Sequence, residues 1–525
     1  MRSGLHYFAV SLLLVFMILG TAAQGEESSG TVLKIGTPNI VKSPSLVGDY
    51  YLGIFAHLSN PPLMKMTPDG KIEGLTAESY EVSDDGLTWT FKIRDGLRWS
   101  DGENVTSEDV KFTFDYLAKQ DPNTAWMKDV VSEILVQDDS VVFKLKKPDS
   151  SLNLELATHN VLPKHIWEKV ENATEKIDEG EIVGCGPFVI SKTDLGAGIV
   201  YFKKNPYWTG TQPKIDAIEL HTFSNMDVLS LALEKGEVDA YWKYAGTYPA
   251  ANVQKLKDTG KFEIEEKPNV GFAILGINLK REPMSDIKFR EALAYGINYD
   301  EILKLDAQGY GQVANRGFVS PSMAYFKETE PLKYDPDQAR KILAEAGYKD
   351  SDGDGVLETP QGKAVKLTLL IQSSYQRMAE LMVDYLKGLG MTAEIKTVDQ
   401  STWYTLKESF DYDLTLTRTT PWGMMVYANW GSAYFDSRRT GQGVLRTVDD
   451  PEYLKLCDQI MAATSKDQLE EYAHEMQDYY AKNLPAIPLY WGEVITPYNK
   501  DWTGWVSNPL YGIYNADNFL SVQKA

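Results

Sequence analysis

Two hydrophobic periods alternate along the chain. Thr88-Trp89-Thr90-Phe91-Lys92-Ile93 alternates polar and apolar side chains between the turns Asp84-Asp85-Gly86 and Arg94-Asp95-Gly96, the period of a half-buried strand. Residues 32–36 form an earlier strand. The period then lengthens: Val110, Phe114 and Leu117 recur on one helical face, and Thr106 with Asp109 has the spacing of a capping box, so a helix opens at 106. Asp335-Pro336 opens another helix with a capping carboxylate and a proline at the first helical position. Ala339, Ile342, Leu343 and Ala346 supply its buried stripe, and Gly347 ends it. A strand over 365–371, a helix through Met378, Leu381, Met382, Tyr385 and Leu389 stopped by Gly390, and a strand over 392–398 follow. This strand-helix-strand rhythm predicts parallel pairing. A further strand is expected over 412–416. Alternation throughout the chain points to an α/β fold, and with no solenoid-period repeat or low-complexity linker its domains must be joined by short crossings.

The amino terminus breaks the pattern. One early Arg, an apolar run over 8–19 and the small residues Thr21, Ala22 and Ala23 have the layout of a secretory signal, and the run is too short for a hydrocarbon core of ~30 Å. Residues 1–23 are therefore read as a signal peptide and 24–30 as a polar, flexible leader, placing the chain outside the cytoplasm, periplasmic or on the cell surface; kept uncleaved, the same run is an anchor. At about 150 residues per domain, 525 residues imply about three domains. The net charge of −21 with no Lys/Arg cluster argues against nucleic acid as a partner. Cys185 and Cys457 cannot make a disulfide framework and read as buried small hydrophobes. The 12 Trp and 30 Tyr are abundant, and aromatics with a polar tip suit a surface that grips a ligand. No Gly-x-Ser-x-Gly, His-Glu-x-x-His or P-loop spacing occurs, and His474-Glu475 lacks a second His. A secreted glycan or peptide hydrolase working through a carboxylate pair is the alternative from another class.

Several segments together resemble one family. Residues 81–91, Arg94-Asp95-Gly96-Leu97-Arg98-Trp99-Ser100-Asp101-Gly102 and Glu108-Asp109-Val110-Lys111-Phe112 resemble the signature of the peptide/nickel family of extracellular solute-binding proteins of ABC importers. Gly186-Pro187-Phe188, Asn205-Pro206-Tyr207-Trp208, Glu234-Lys235-Gly236-Glu237-Val238-Asp239, Phe289-Arg290-Glu291-Ala292-Leu293-Ala294-Tyr295, Tyr334-Asp335-Pro336, Ala346-Gly347-Tyr348 and Leu484-Pro485-Ala486-Ile487-Pro488-Leu489-Tyr490 continue it in the family's order. The resemblance implies a two-lobed periplasmic-binding-protein-like α/β fold (class II, cluster C) with an extra domain inserted in lobe I. Carried onto this numbering, lobe I takes 31–72, 184–267 and 490–525, the insert 73–183, and lobe II 268–489. It further implies a monomer that shuts on a small ligand, an oligopeptide or peptide-like solute or alternatively a nickel or other metal chelate, and delivers it to a membrane permease without a covalent step.

Residues 414–435 pack Arg418, Trp422, Met424, Met425, Tyr427 and Trp430 into a Gly-punctuated stretch, and the family's matching loop lies in the cleft. Arg418 suits bidentate pairing with a ligand carboxylate, and Trp422 and Trp430 suit stacking. No Asp occurs between Asp413 and Asp436, where peptide binders of the family place one for an ammonium terminus. The Arg-Thr start is nearer the nickel branch, whose Asp-Pro-His continuation is absent and whose arginine after the insert is replaced by Leu156-Ala157-Thr158-His159-Asn160. The resemblance adds Trp126, Trp242, Tyr244, Tyr50 or Tyr51, and more distantly Trp403 and Tyr404; His159 is a candidate metal or chelate contact. No cofactor is required, and metal enters only within a chelate ligand. Separately, Asp350, Asp352 and Asp354 with Gly355 match the front of a calcium loop, to which Val356 and Glu358 are added as candidate ligands, although Gln361 at position 12 lacks the bidentate carboxylate.

Overall fold

The computed structural model describes residues 30–41, 46–47, 53–67, 71–121, 124, 127–173, 182–243, 246–323, 325–418, 434–438, 445–507 and 512–525. The predicted signal peptide and leader up to residue 29 lie outside them. Among the described residues no helix is long and apolar enough to cross a membrane.

Two long antiparallel strands, Phe262–Ile277 and Ala486–Asn499, run the length of an eleven-stranded sheet. Their pairing is regular from Phe262↔Asn499 to Pro268↔Glu493, breaks, and resumes at Phe272↔Trp491. The break sets three residues of one strand against Gly492 of the other, a bulge that bends both. On one side of it, Ala486–Asn499 pairs with Ala240–Tyr241, which leads on to Val32–Thr37, Ala217–Thr222, Ile199–Lys204 and Phe188–Asp194. On the other, Phe262–Ile277 pairs with Leu414–Arg418, followed by Lys366–Gln372 and Thr392–Val398. Sequence predicts why the halves differ. Ala273, Ile274, Leu275 and Ile277 form a continuous apolar run, buried on both faces, whereas Glu263 and Glu265 alternate with Phe262 and Ile264 on the other side of the break. Lys366–Gln372 and Thr392–Val398 pair in parallel across the helix Gln376–Gly388, as the periodicity predicts.

Each half has its own core. One gathers Phe289, Leu293, Leu369, Met382, Leu416, Tyr453, Tyr480 and Ile487; another gathers Leu33, Phe55, Ile218, Leu220, Trp242 and Phe519. A four-stranded antiparallel sheet, ordered Ala77–Val82, Thr88–Ile93, Ser140–Leu145, Val131–Gln137, builds a third with Trp89, Phe91, Phe114 and Phe143 beneath the helix Ser107–Gln120. That helix begins as predicted: the Thr106 N–H donates to Asp109 Oδ2 at 2.8 Å. Its Tyr116 and Leu117, with Leu162 and Trp167, enter the core around Leu33, so this smaller sheet rides on the first half. It reaches the other half through Ser150, whose N–H and hydroxyl donate to the Met461 and Ile460 carbonyls at 3.0 and 2.9 Å, at the end of the helix Pro451–Ala462.

The Phe289-Arg290 motif has a physical basis. Arg290 is buried, and its guanidinium donates to the carbonyls of Met284 and Ser285, each at 2.8 Å, and of Asn483 at 3.2 and 2.8 Å. Asn483 closes the helix Lys466–Asn483, where carbonyls lack intrahelical partners and a cation is favoured. Arg290→Met keeps the bulk but leaves these carbonyls without a donor. We expect a loss of about 3 kcal/mol in urea unfolding; a change under about 0.5 kcal/mol would make the network dispensable.

Candidate ligand groove

Arg418 ends the strand Leu414–Arg418, opposite Ala273, which itself faces Tyr490. These three positions form a row one step from the bulge, separated from it by the pair Phe272↔Trp491, so Arg418 stands near the crossing between the halves. Its Nη2 donates to Asp306 Oδ2 at 2.5 Å and to the Tyr490 hydroxyl at 3.0 Å, and the Tyr490 hydroxyl donates to the same Oδ2 at 2.5 Å. The guanidinium lies 5.6 Å from the centroid of the Tyr375 ring. Of the Arg418 side chain, 44% remains exposed, against 17% for Asp306. Desolvation by the surrounding protein pulls the Arg418 pKa down, but Tyr490 and Asp306 outweigh it and leave it raised. The arginine is permanently charged, is held through Nη2, and keeps part of its side chain exposed.

Across the junction of the insert and lobe I, His57 and His159 are close enough to interact. Burial lowers the pKa of each to about 4; the Thr158 backbone bonded to His57 pulls the other way, and His159 adds to the lowering of His57. Asp121 partly offsets the shift of His159, whose Nε2 has no hydrogen-bond partner among the described residues and whose ring meets Phe114 edge-on. Both imidazoles are neutral near pH 7.

The remaining candidates divide. Trp242 is 7% exposed and packs edge-on against Phe55 in the lobe I core. Trp403, 5% exposed, donates from Nε1 to Thr415 Oγ1 at 3.0 Å in a small core with Leu370 and Tyr412, and Tyr404 flanks it; neither joins Arg418. Trp422, Trp430, Trp126, Tyr244, Tyr50 and Tyr51 lie outside the described residues. The strand expected over 412–416 begins at Leu414 instead, and the Asp413 carboxylate before it accepts the Thr368 N–H at 2.7 Å. In the acidic turn, carboxylate oxygens of Asp350, Asp352, Asp354 and Glu358 all lie within 4.8 Å of one another. Asp350 accepts the Gly353 and Gly355 N–H groups, Asp354 that of Val356, and Glu358 that of Ser351.

Residues 71–441 match the bacterial extracellular solute-binding proteins, family 5 Middle. The chain belongs to this family. It is 25% identical to the glutathione-binding protein GsiB of Salmonella typhimurium, over 91% of this chain and 90% of the relative. It is 27% identical to the dipeptide-binding protein of Escherichia coli K12, over 84% of each. In fold it is similar to NikA from Brucella suis, crystallised with Fe(III)-EDTA, at a TM-score of 0.82, 20% identity and coverage of 94% and 100%. The architecture is thus the two-lobed binding-protein fold.

For a family-5 protein, the residue that sequence reasoning missed is Asp306. It is the last residue of the helix Tyr299–Asp306, where a carboxylate meets the negative end of the helix dipole and calls for a cation; that misfit was the available signal.

The histidine pair has a pH signature. Folded values near 4 lie below the unfolded 6.5, so folding favours the neutral rings; stability is intact above about pH 6.5 and falls as pH drops towards 4. His159→Gln should flatten the unfolding midpoint over that window relative to the parent. Parallel curves would place His159 in contact with water.

Proposed function

We propose that this family-5 protein captures a peptide-like solute between its lobes and hands it to the membrane permease of an ABC importer, as an exported, extracytoplasmic, monomeric protein. The observation that carries the reading is Arg418: a permanent cation beside the interlobe crossing, fixed through Nη2 by Asp306 and Tyr490 with its side chain still partly exposed. A ligand carboxylate that accepts from its remaining N–H groups forms charge-assisted bonds of the stronger kind. The names of relatives, a glutathione binder and a dipeptide binder, support the solute class.

The mechanism is differential affinity. A ligand that touches both lobes only when the groove is shut favours the shut form by the contacts it gains there, and the permease reads the shape. The bulge between Pro268 and Phe272 supplies the bend. Binding is the whole activity in this reading, with no bond made or broken.

A second reading, a metal chelate as cargo, is favoured by His159, a neutral imidazole with an unengaged Nε2, the form that ligates transition metals. Titration with di- and tripeptides and nickel-histidine, followed by calorimetry and small-angle scattering, separates the two. We expect peptides to bind with a fall in radius of gyration, and Arg418→Ala to weaken them by about tenfold or more. Saturation by nickel-histidine alone would favour the chelate, and peptide cleavage during titration would overturn the reading.

We propose in addition that the convergent carboxylates of Asp350, Asp352, Asp354 and Glu358 take a structural calcium ion, a hard cation suited to oxygen ligands. Millimolar calcium should raise Tm, EDTA should reverse it, and Asp352→Asn should abolish the rise. An unmoved Tm would leave the segment as a self-capped turn.

A further inference from the structure

The pair at the groove is only half used. Asp306 accepts both of its hydrogen bonds on Oδ2, and among the described residues nothing donates to its Oδ1. Arg418 donates from Nη2, and its Nε and Nη1 donate to no described residue. One ion pair thus carries both guanidinium donors and a carboxylate oxygen that have no partner among the described residues. The Tyr490 hydroxyl, donating to Asp306 and accepting from Arg418, keeps the two from turning away from each other.

This arrangement selects by charge. A lone carboxylate gains from Arg418 but is repelled by Asp306, and a lone ammonium meets the reverse. A group bearing both charges on a single carbon satisfies both without separating the pair. The termini of a peptide are not held on one carbon, because they belong to different residues whose Cα atoms are ~3.8 Å or more apart.

Resting on the reading of this groove as the ligand site, we propose that Asp306 and Arg418 form a receptor for an intact α-amino-acid head group. The carboxylate accepts from Nη1 of Arg418, and the ammonium donates to Asp306 Oδ1. The solute class is therefore a peptide-like compound linked through a side chain, or an amino acid, with α-ammonium and α-carboxylate both unblocked. The receptor takes the place of the missing loop aspartate, which would address an ammonium terminus alone.

Isomeric probes test it. Calorimetry on the full chain compares γ-L-glutamylglycine, which keeps the head group, with α-L-glutamylglycine, which has the same composition and lacks it, and with N-acetyl-γ-L-glutamylglycine, which has no ammonium. We expect the γ isomer to bind about tenfold tighter or better than either of the others. Asp306→Asn should bring the γ isomer and its acetylated form within about twofold of each other, while Tyr490→Phe should weaken the γ isomer yet keep its preference. Equal binding of the two isomers, or discrimination that survives Asp306→Asn, overturns the proposal. Should Asp306→Asn fail to fold, the three probes on the parent chain decide alone. Trialanine separates the two levels: if it binds while the γ isomer shows no preference, the head-group receptor falls and peptide capture stands; if nothing binds, both fall.

Discussion

The antiparallel pair Phe262–Ile277 and Ala486–Asn499 is the constraint from which the rest of the molecule follows. Each half of the sheet is nucleated on one end of this pair, and the interruption around Gly492 is where their common ladder lapses. Backbone hydrogen bonding pairs the strands on both sides of it, with a second register shift between Ala273 and Ile274. The edge strand Gly311–Val313 reinforces the spot: a Cβ at Gly311 would lie 2.3 Å from the Trp491 carbonyl oxygen, so only glycine permits the close pairing with Gly492. Arg418 and Tyr490 lie one row from this joint.

The polar centre of the groove illustrates how local misfits are resolved at long range. Asp306 is unfavourable where its helix ends, Arg418 would be an isolated cation where its strand ends, and Tyr490 would bury a hydroxyl. Together they satisfy one another, and the contact joins positions 112 and 184 residues apart. Burial of Tyr490, helped by Asp306 and opposed by Arg418, holds its phenol protonated and therefore able to donate.

Regular elements were legible in the sequence because their signals are local. The Thr106 cap, the Asp335-Pro336 start and the strand Thr88–Ile93 all appear where the pattern predicts, and the family resemblance carried the two-lobed plan. Arg418 was legible as a residue but not as part of a pair, because its partner lies on another element. Aromatic side chains were the least legible. Trp242 and Trp403 read as grip and are core, since the same ring suits a ligand or a neighbouring Phe, and only tertiary packing against Phe55 or Thr415 separates the cases. The link from Ser150 to Ile460, spanning 310 residues, has no sequence signal at all.

The two cysteines have a wider consequence. Cys185 is buried in the core around Trp89 and Phe91 and Cys457 in that around Leu369 and Tyr480, in no disulfide, and burial pushes the Cys185 thiol well above its usual range. The Cys457 thiol lies against the Tyr453 hydroxyl. With little thiolate at Cys185 and both sulfurs enclosed in separate cores, neither is positioned for exchange with a glutathione or an oxidant pool. The fold is thus indifferent to the redox poise around it, and needs no oxidative catalyst to reach or to keep its native state.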